Sequence, residues 1–247
     1  MAYQHDGDLT FAYRPSSGPW HFVLSVESHG PSAAAFNASL IIEGSTSPHV
    51  AEWLDRLVRC DPDALHVARV GSSDAPKLWH PCVRDDPESP SAIGGDGCVC
   101  RQTFRDPVTL LPVVAHHFRT VGGEIEEWRY LTYAPLALPE GERLSALVVD
   151  REATLFWVRT ARGTLHLLPE DARSGGYGVG HRGAGTTDLA HLVQRIVTSG
   201  GRDVSAGKTR DPLNEKVYSW VTSRAADRTR EIPLSRLEHL CRTGTPD

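Results

Sequence analysis

Apolar and polar residues alternate over most of the chain up to about residue 170, which is the pattern of β-strands with one buried face. Strands are predicted at 9–13, 20–26, 36–42, 65–70, 78–84, 98–104, 110–120, 124–133, 144–149, 154–159 and 164–168. Short turns join several of them, among them Gly122-Gly123 and 161–163. Because parallel strands need long crossover connections, these turns predict a mostly antiparallel sheet.

Apolar residues at helical spacing predict helices in two places. The first set is Val50, Trp53, Leu54, Leu57 and Val58. It follows Ser47-Pro48, which is an N-cap residue with proline at the first helical position. The second set is Leu189, Leu192, Val193, Ile196 and Val197, and Gly200-Gly201 ends it. Two shorter helices are predicted at 213–224 and 235–242.

These elements predict an α+β protein with a large, mostly antiparallel sheet of about eight or nine strands, one early helix and a helical C-terminal third. We expect a single domain over residues 1–247. Its sheet-rich part covers 1–170, and its glycine-rich loop and helical part cover 174–247. The helical part has too few apolar positions for a core of its own, so we expect it to pack on the sheet.

Composition narrows the class of protein. Hydrophobic residues make up 40% and charged residues 23% of the 247, which is typical of a folded globular chain rather than a disordered one. The formal charge of -5 argues against a generally basic nucleic-acid-binding protein. Only three of the 26 basic residues are lysines (Lys77, Lys208 and Lys216), a bias typical of a high-GC bacterial genome.

The chain carries no sign of export or membrane insertion. Its N-terminus lacks the apolar segment of a signal peptide, and no apolar run approaches the roughly 20 residues that span a bilayer. Five cysteines, an odd number, fit a reducing compartment better than a disulfide framework. We therefore expect a cytoplasmic protein with no membrane partner.

A glycine-rich segment at 174–187 leads directly into the second predicted helix. Its glycines match the spacing GxGxxG, and a threonine stands where a P-loop would have lysine. A helix N-terminus preceded by glycines favours anions, so a phosphate-bearing, nucleotide-like ligand is one hypothesis. The candidate ligand-binding residues are Gly178, Gly180, His181, Arg182, Gly183 and Thr186. The alternative is a surface loop that caps the helix with Thr186 or Thr187.

Four residues suggest a metal site. His80 and Cys82 lie two apart on one predicted strand, and Cys98 and Cys100 lie two apart on another. Residues two apart share a face of a strand, so one tetrahedral zinc site is a second hypothesis. Buried free cysteines or redox-active cysteines explain the same pattern.

Two further patterns carry alternative interpretations. His116 and His117 lie opposite Glu124, Glu126 and Glu127 across a predicted hairpin, which indicates either a general acid–base pair or ordinary cross-strand pairing. The C-terminal helices contain several arginines and suggest either a DNA-reading helix pair or a pair packed on the sheet. The long stretch 225–234 between these helices favours packing.

No nucleophile elbow, HExxH motif or deaminase zinc signature occurs in the chain. The leading prediction is therefore a non-enzymatic accessory protein that binds a ligand or a protein partner. The alternatives are an enzyme or sensor with a phosphate-bearing ligand at 178–187, and a zinc-stabilised or DNA-binding regulatory module.

Overall fold

A computed structural model describes residues 8–12, 23–27, 37–43, 47–71, 78, 101–119, 126–172, 175–207 and 211–246. The described residues form an α+β structure. Its strands are β1 (Asp8–Ala12), β2 (Val23–Glu27), β3 (Ser39–Glu43), β4 (Val58–Arg59), β5 (Arg101–Arg105), β6 (Pro112–Arg119), β7 (Glu126–Tyr133), β8 (Leu144–Asp150), β9 (Leu155–Thr160), β10 (Leu165–Leu167) and β11 (Arg230–Pro233). Its helices are α1 (Pro48–Asp55), α2 (Ala64–Val70), α3 (Ala184–Thr198), α4 (Glu215–Val221) and α5 (Leu234–Thr243).

The strands form two main antiparallel sheets, so the prediction of one large sheet is wrong in that respect. The five-stranded sheet has the order β3-β7-β6-β5-β4, and the four-stranded sheet has the order β10-β9-β8-β11. β1 and β2 form a separate antiparallel pair. Every strand pairing in the described residues is antiparallel, as the short turns predict.

The chain changes sheet between β7 and β8. The connecting segment contains Pro135 and Pro139, which cannot donate backbone hydrogen bonds and so interrupt strand pairing. β8 then pairs with β9 and β11 instead of β7. Short connections show which strands are neighbours, but they do not show where a meander leaves one sheet for another.

α1 forms where its sequence signals predict. The Ser47 hydroxyl accepts hydrogen bonds from the backbone of His49 and Val50 at 3.2 and 3.4 Å, and Pro48 occupies the first turn. The helix buries Val50 and Trp53 between the two sheets. This inter-sheet core consists of Ile42, Val50, Trp53, Val113, Val148, Trp157, Leu165 and Leu167.

The other face of the four-stranded sheet is covered by the C-terminal helices. Leu147 and Val149 alternate with Val148 along β8, so they face away from the inter-sheet core. They pack with α3, α4 and α5 in a second core, whose helical members include Leu189, Val193, Ile196, Val217, Val221, Leu237 and Leu240. The four-stranded sheet is therefore the middle layer, and the helical part shares its core.

One predicted strand is a helix instead. Residues 65–70 were expected to be a strand but form most of α2, because the Asp63 side chain caps the helix and His66 reciprocates as the partner of a capping box. The stretch between α4 and α5 contains β11, which pairs with β8 at the sheet edge. Consequently α4 and α5 do not form a tight helix-turn-helix. Within the described residues, no helix is long and apolar enough to cross a membrane.

Candidate ligand-binding cleft

A cleft of about 610 Å³ opens where the edge of the five-stranded sheet meets the edge of the four-stranded sheet. Its walls come from four stretches: 37–40 around the start of β3, 154–156 at the start of β9, 167–170 at and after the end of β10, and residues 172 and 175–177. Both β3 and β10 are edge strands, so the cleft lies between two sheet edges.

Backbone hydrogen bonds hold these edges together. The amide of Ala38 donates to the carbonyl of Glu170 at 3.3 Å, and the amide of Glu170 donates to the carbonyl of Pro135 at 2.9 Å. Asn37 and Asp171 form an isolated antiparallel bridge beside them. The segment after β10 is thereby fixed against the residues that lead into β3.

Apolar side chains form one part of the cleft wall. Leu40 and Leu155 pack against the inter-sheet core, whereas Leu168 belongs to the core under the C-terminal helices. The rings of Phe156 and Tyr177 meet edge to face, with centroids 6.1 Å apart. The cleft can therefore bury an apolar or aromatic group against a wall already positioned by both cores.

Tyr177 lines the cleft with a protonated phenol. Its hydroxyl donates to the carbonyl of Pro169 at 2.9 Å. Burial raises the pKa of Tyr177, and the carboxylates of Glu170, Asp188 and Asp171 raise it further, while Arg195 opposes them.

Asn37 is buried at the wall of the same cleft. Its side chain is 4% exposed, and its Nδ2 donates to the carbonyl of Ala134 at 2.7 Å. A carbonyl requires a donor, so this bond fixes which side of the amide is nitrogen. Among the described residues, the opposite atom, Oδ1, has no hydrogen-bond partner.

Only the beginning of the glycine-rich segment reaches the cleft. Gly175, Gly176 and Tyr177 line it, whereas the predicted ligand residues from Gly178 onward lie beyond it, before and within the first turn of α3. The residues of the glycine-rich segment that line the cleft are therefore different from the predicted ligand residues.

Two of the glycines permit close backbone packing. A Cβ at Gly185 would lie 2.4 Å from the carbonyl oxygen of Gly176, so the first turn of α3 rests directly on the preceding loop. Gly180 has φ of +80°, and its amide donates to the carbonyl of Val221 at 2.8 Å. A Cβ there would lie 2.9 Å from the Cβ of Asp227. Close packing therefore accounts for these two glycines without a ligand.

The polar residues of the segment divide between surface and interior. His181 and Arg182 are exposed, and the Nδ1 of His181 lies 3.0 Å from the carbonyl oxygen of Val179. Thr186 is fully buried, and its hydroxyl accepts from the amide of Gly183 at 3.0 Å and donates to the carbonyl of Gly183 at 2.8 Å. Phosphate binding at Gly178, Gly180, His181, Arg182, Gly183 and Thr186 stays a prediction.

The predicted zinc ligands His80, Cys82, Cys98 and Cys100 lie outside the described residues. In the part of the chain that the structure describes, no group of three or more His, Cys, Asp or Glu side chains is arranged to hold a metal ion. The zinc hypothesis therefore stays a prediction.

The histidine pair on β6 faces different partners from those expected. His117 lies opposite Trp128 and stacks on it, with ring centroids 4.7 Å apart and 20° between the planes. His116 lies opposite Arg129. Neither histidine has a glutamate directly across the β6–β7 ladder, which fits cross-strand packing better than an acid–base pair.

Sequence analysis missed one cluster, spaced Cys-x2-Asp-x2-His. The Nε2 of His66 lies 3.8 Å from the Sγ of Cys60 and 2.8 Å from the carbonyl oxygen of Phe104, and its Nδ1 lies 2.8 Å from Asp63 Oδ1. Burial raises the pKa of the Cys60 thiol, which disfavours the reactive thiolate. The fully buried His66 therefore serves to join α2 to β5.

No protein-family model, curated protein or solved structure matches the chain.

Proposed function

We propose that this protein is a non-enzymatic binding module for a small organic molecule with an apolar body, bound in the cleft between the two sheet edges. The observation that supports the proposal is the cleft itself. Its volume of about 610 Å³ lies within the roughly 300–1,000 Å³ typical of small-molecule sites. Leucine and aromatic side chains together with a few polar groups are the usual lining of such sites.

The chemistry of the lining favours binding over catalysis. Among the described residues that line the cleft, the ionisable side chains are Glu170 and Tyr177. Because its pKa is raised, the Tyr177 phenol keeps its proton at neutral pH, and its hydroxyl donates to the carbonyl of Pro169. Tyr177 is therefore poorly suited to act as a general base. The lining residues that the structure describes also include no Ser–His or Cys–His pair of the kind that activates a nucleophile.

The test is to fill the cleft and look for loss of ligand binding. Ala172 is exposed and lines the cleft, so Ala172→Trp places an indole at its mouth without disturbing either core. Ala225 is also exposed but lies after α4, away from the cleft, so Ala225→Trp is the matched control.

Small apolar organic compounds are screened for a rise in melting temperature, which reports binding to the folded state. We expect at least one compound to stabilise the wild-type chain and Ala225→Trp, and to lose at least about tenfold in affinity for Ala172→Trp. A compound that stabilises all three proteins equally binds elsewhere. A screen in which no compound stabilises the wild-type chain would contradict the proposed function.

A further inference from the structure

We propose that two copies of this chain associate through the outer edge of β4 and form a two-fold dimer. The two β4 strands would lie antiparallel beside each other, with Arg59 of each copy against the partner's Asp61. β4 and β3 are the opposite edges of the five-stranded sheet, and neither Arg59 nor Asp61 lines the cleft. The dimer is therefore independent of the function proposed above.

Exposed apolar side chains are concentrated beside β4. Among the described residues, five large apolar side chains are exposed, and four of them lie at this end of the five-stranded sheet. These four form the β4 patch: Val58 at 54%, Leu65 at 36%, Val108 at 40% and Leu110 at 61% exposed. Apolar groups that gather at the surface in this way are typical of protein–protein contacts.

Arg105 lies at the centre of the β4 patch. It is opposite Val58 in the β4–β5 ladder, and its Nη1 donates to the carbonyl of Leu110 at 2.7 Å. Its Nη2 bonds to the carboxylate of Asp63, whose Oδ1 accepts from the amide of Leu65 at 3.0 Å. The fourth side chain belongs to the same β5–β6 turn as Leu110. The patch is therefore one surface, built from β4, the start of α2 and this turn.

The backbone of Leu110 is unfavourable for a residue with a side chain. Its φ is +59°, in the left-handed region that favours glycine. With 61% of the residue exposed, burial within the chain does not offset this cost. A contact with a second molecule would bury the side chain that this conformation leaves at the surface.

β4 offers backbone hydrogen bonds to a further strand. It is the last strand of the five-stranded sheet, and among the described residues only β5 pairs with it. The amide of Cys60 donates to the carbonyl of Thr103 at 3.0 Å, so the backbone of Cys60 faces β5. Because successive residues of a strand direct these groups to opposite sides, the amide and carbonyl of Arg59 face away from β5. Such an edge is a template for pairing with another strand.

The charges at this edge favour a second copy of the chain as the partner. Arg59 and Asp61 are exposed, carry opposite charges and lie two positions apart. Pro62 follows Asp61 and favours an extended backbone there. A two-fold axis beside Cys60 sets each Arg59 opposite the partner's Asp61, because contacts across such an axis are reciprocal. Both cross-strand pairs then have opposite charges, which stabilise a sheet, and no like charges meet.

The experiment measures the molar mass of the protein by sedimentation equilibrium over a dilution series. Arg59→Asp leaves two acidic residues at the β4 edge, and Asp61→Arg leaves two basic ones. Arg224→Asp is the control for a change of charge, because Arg224 is exposed and lies in the turn after α4 rather than beside β4.

We expect a monomer–dimer equilibrium for the wild type and for Arg224→Asp. Arg59→Asp and Asp61→Arg should each dimerise at least about tenfold more weakly, because both reciprocal pairs become repulsive. An equimolar mixture of these two variants should form a heterodimer with the affinity of the wild type, since every acidic residue then meets a basic one. Recovery in the mixture also shows that both variants are folded.

Leu110→Asn tests the β4 patch without a change of charge. Asparagine adopts the left-handed backbone more readily than leucine, so the variant should melt at a higher temperature in dilute solution. Its dimer should be at least about fivefold weaker, because the apolar side chain is lost. Misfolding cannot produce a more stable chain that dimerises less.

The other outcomes overturn the proposal. A wild-type protein that remains monomeric up to about 1 mM has no dimer of the kind described. If the wild type dimerises but the mixture of Arg59→Asp and Asp61→Arg does not recover its affinity, the dimer uses a different surface. The same conclusion follows if either variant alone dimerises as the wild type does. None of these results bears on the cleft, because the cleft is tested by compound binding.

Discussion

The buried carboxylate of Asp150 accepts a hydrogen bond from the hydroxyl of Ser47 at 2.5 Å, although 103 positions separate the two residues in the chain. Ser47 is the N-cap of α1, and Asp150 is the last residue of β8. The same carboxylate accepts from Trp157 Nε1 at 3.2 Å and from the amide of Ala153 at 3.2 Å. This group therefore joins the early helix to the four-stranded sheet.

Replacing Asp150 with Asn should destabilise the fold. The NH2 group of the new amide would face either Ser47 and Trp157, which share one carboxylate oxygen, or the backbone amide of Ala153, so at least one donor loses its acceptor in either orientation. We expect a loss of roughly 1–3 kcal/mol in the free energy of unfolding, the usual cost of leaving a buried donor without an acceptor. The measurement is urea denaturation at neutral pH. The control is Asp61→Asn, because Asp61 is exposed. Equal stability of Asp150→Asn and wild type would show that this carboxylate does not hold α1 to the sheet.

His166 should make stability depend on pH. The residue is fully buried in β10, and burial lowers the pKa of its imidazole, with the positive charge of Arg56 lowering it further. The unfolded chain therefore takes up a proton near pH 6.5 while the folded chain does not. Stability from this group is complete above pH 6.5 and is lost as the pH falls toward the lowered pKa. The loss is about 1.4 kcal/mol for each pH unit that separates the pKa of the unfolded chain from that of the folded chain.

His166→Leu tests this expectation. Among the described residues, neither ring nitrogen of His166 has a hydrogen-bond partner, so the variant should match the wild type at pH 7.5 to within about 1 kcal/mol. Unfolding free energies measured from pH 7.5 down to 5 should then fall more steeply for the wild type. His239→Gln is the control, since His239 is only half-buried and the variant retains His166. Parallel pH profiles for the wild type and His166→Leu would contradict the expectation.

Gly185 and Gly175 provide a matched pair in the glycine-rich segment. Gly185→Ala would place a methyl group 2.4 Å from the carbonyl oxygen of Gly176, and the first turn of α3 would have to move off the loop. Gly175 has no atom within 4 Å of its Cβ position. We expect Gly185→Ala to cost at least about 1–3 kcal/mol and Gly175→Ala to change stability by less than about 1 kcal/mol.

Thermal denaturation of the two glycine variants gives the comparison. Because Gly176 lines the cleft, Gly185→Ala should also weaken the binding of any ligand found in the screen. Equal melting temperatures for the two variants would show that the close approach of α3 to the loop is not required for the fold.

The elements that short-range sequence signals predict are present in the structure. α1 begins at Ser47-Pro48 and α3 follows the glycine-rich segment, because caps and apolar spacing act within a few residues. The β6–β7 and β8–β9 pairs also follow from short connections. The helix at 64–70 was not predicted, because its apolar pattern suits a strand equally well. The capping box that Asp63 and His66 form favours the helix over the strand.

By itself, the sequence determined the class of the fold: antiparallel strands, the early helix and a helical C-terminal part that needs the sheet for its core. Only the tertiary structure decided that the strands divide into two sheets and that a cleft lies between their edges. Asn37 and Glu170 are far apart in the chain and meet because the amide of Ala38 bonds to the carbonyl of Glu170. Periodicity and capping reflect the local preferences of the backbone. A site that joins the start of β3 to the start of β9 and the segment after β10 depends instead on which strand edges meet after packing.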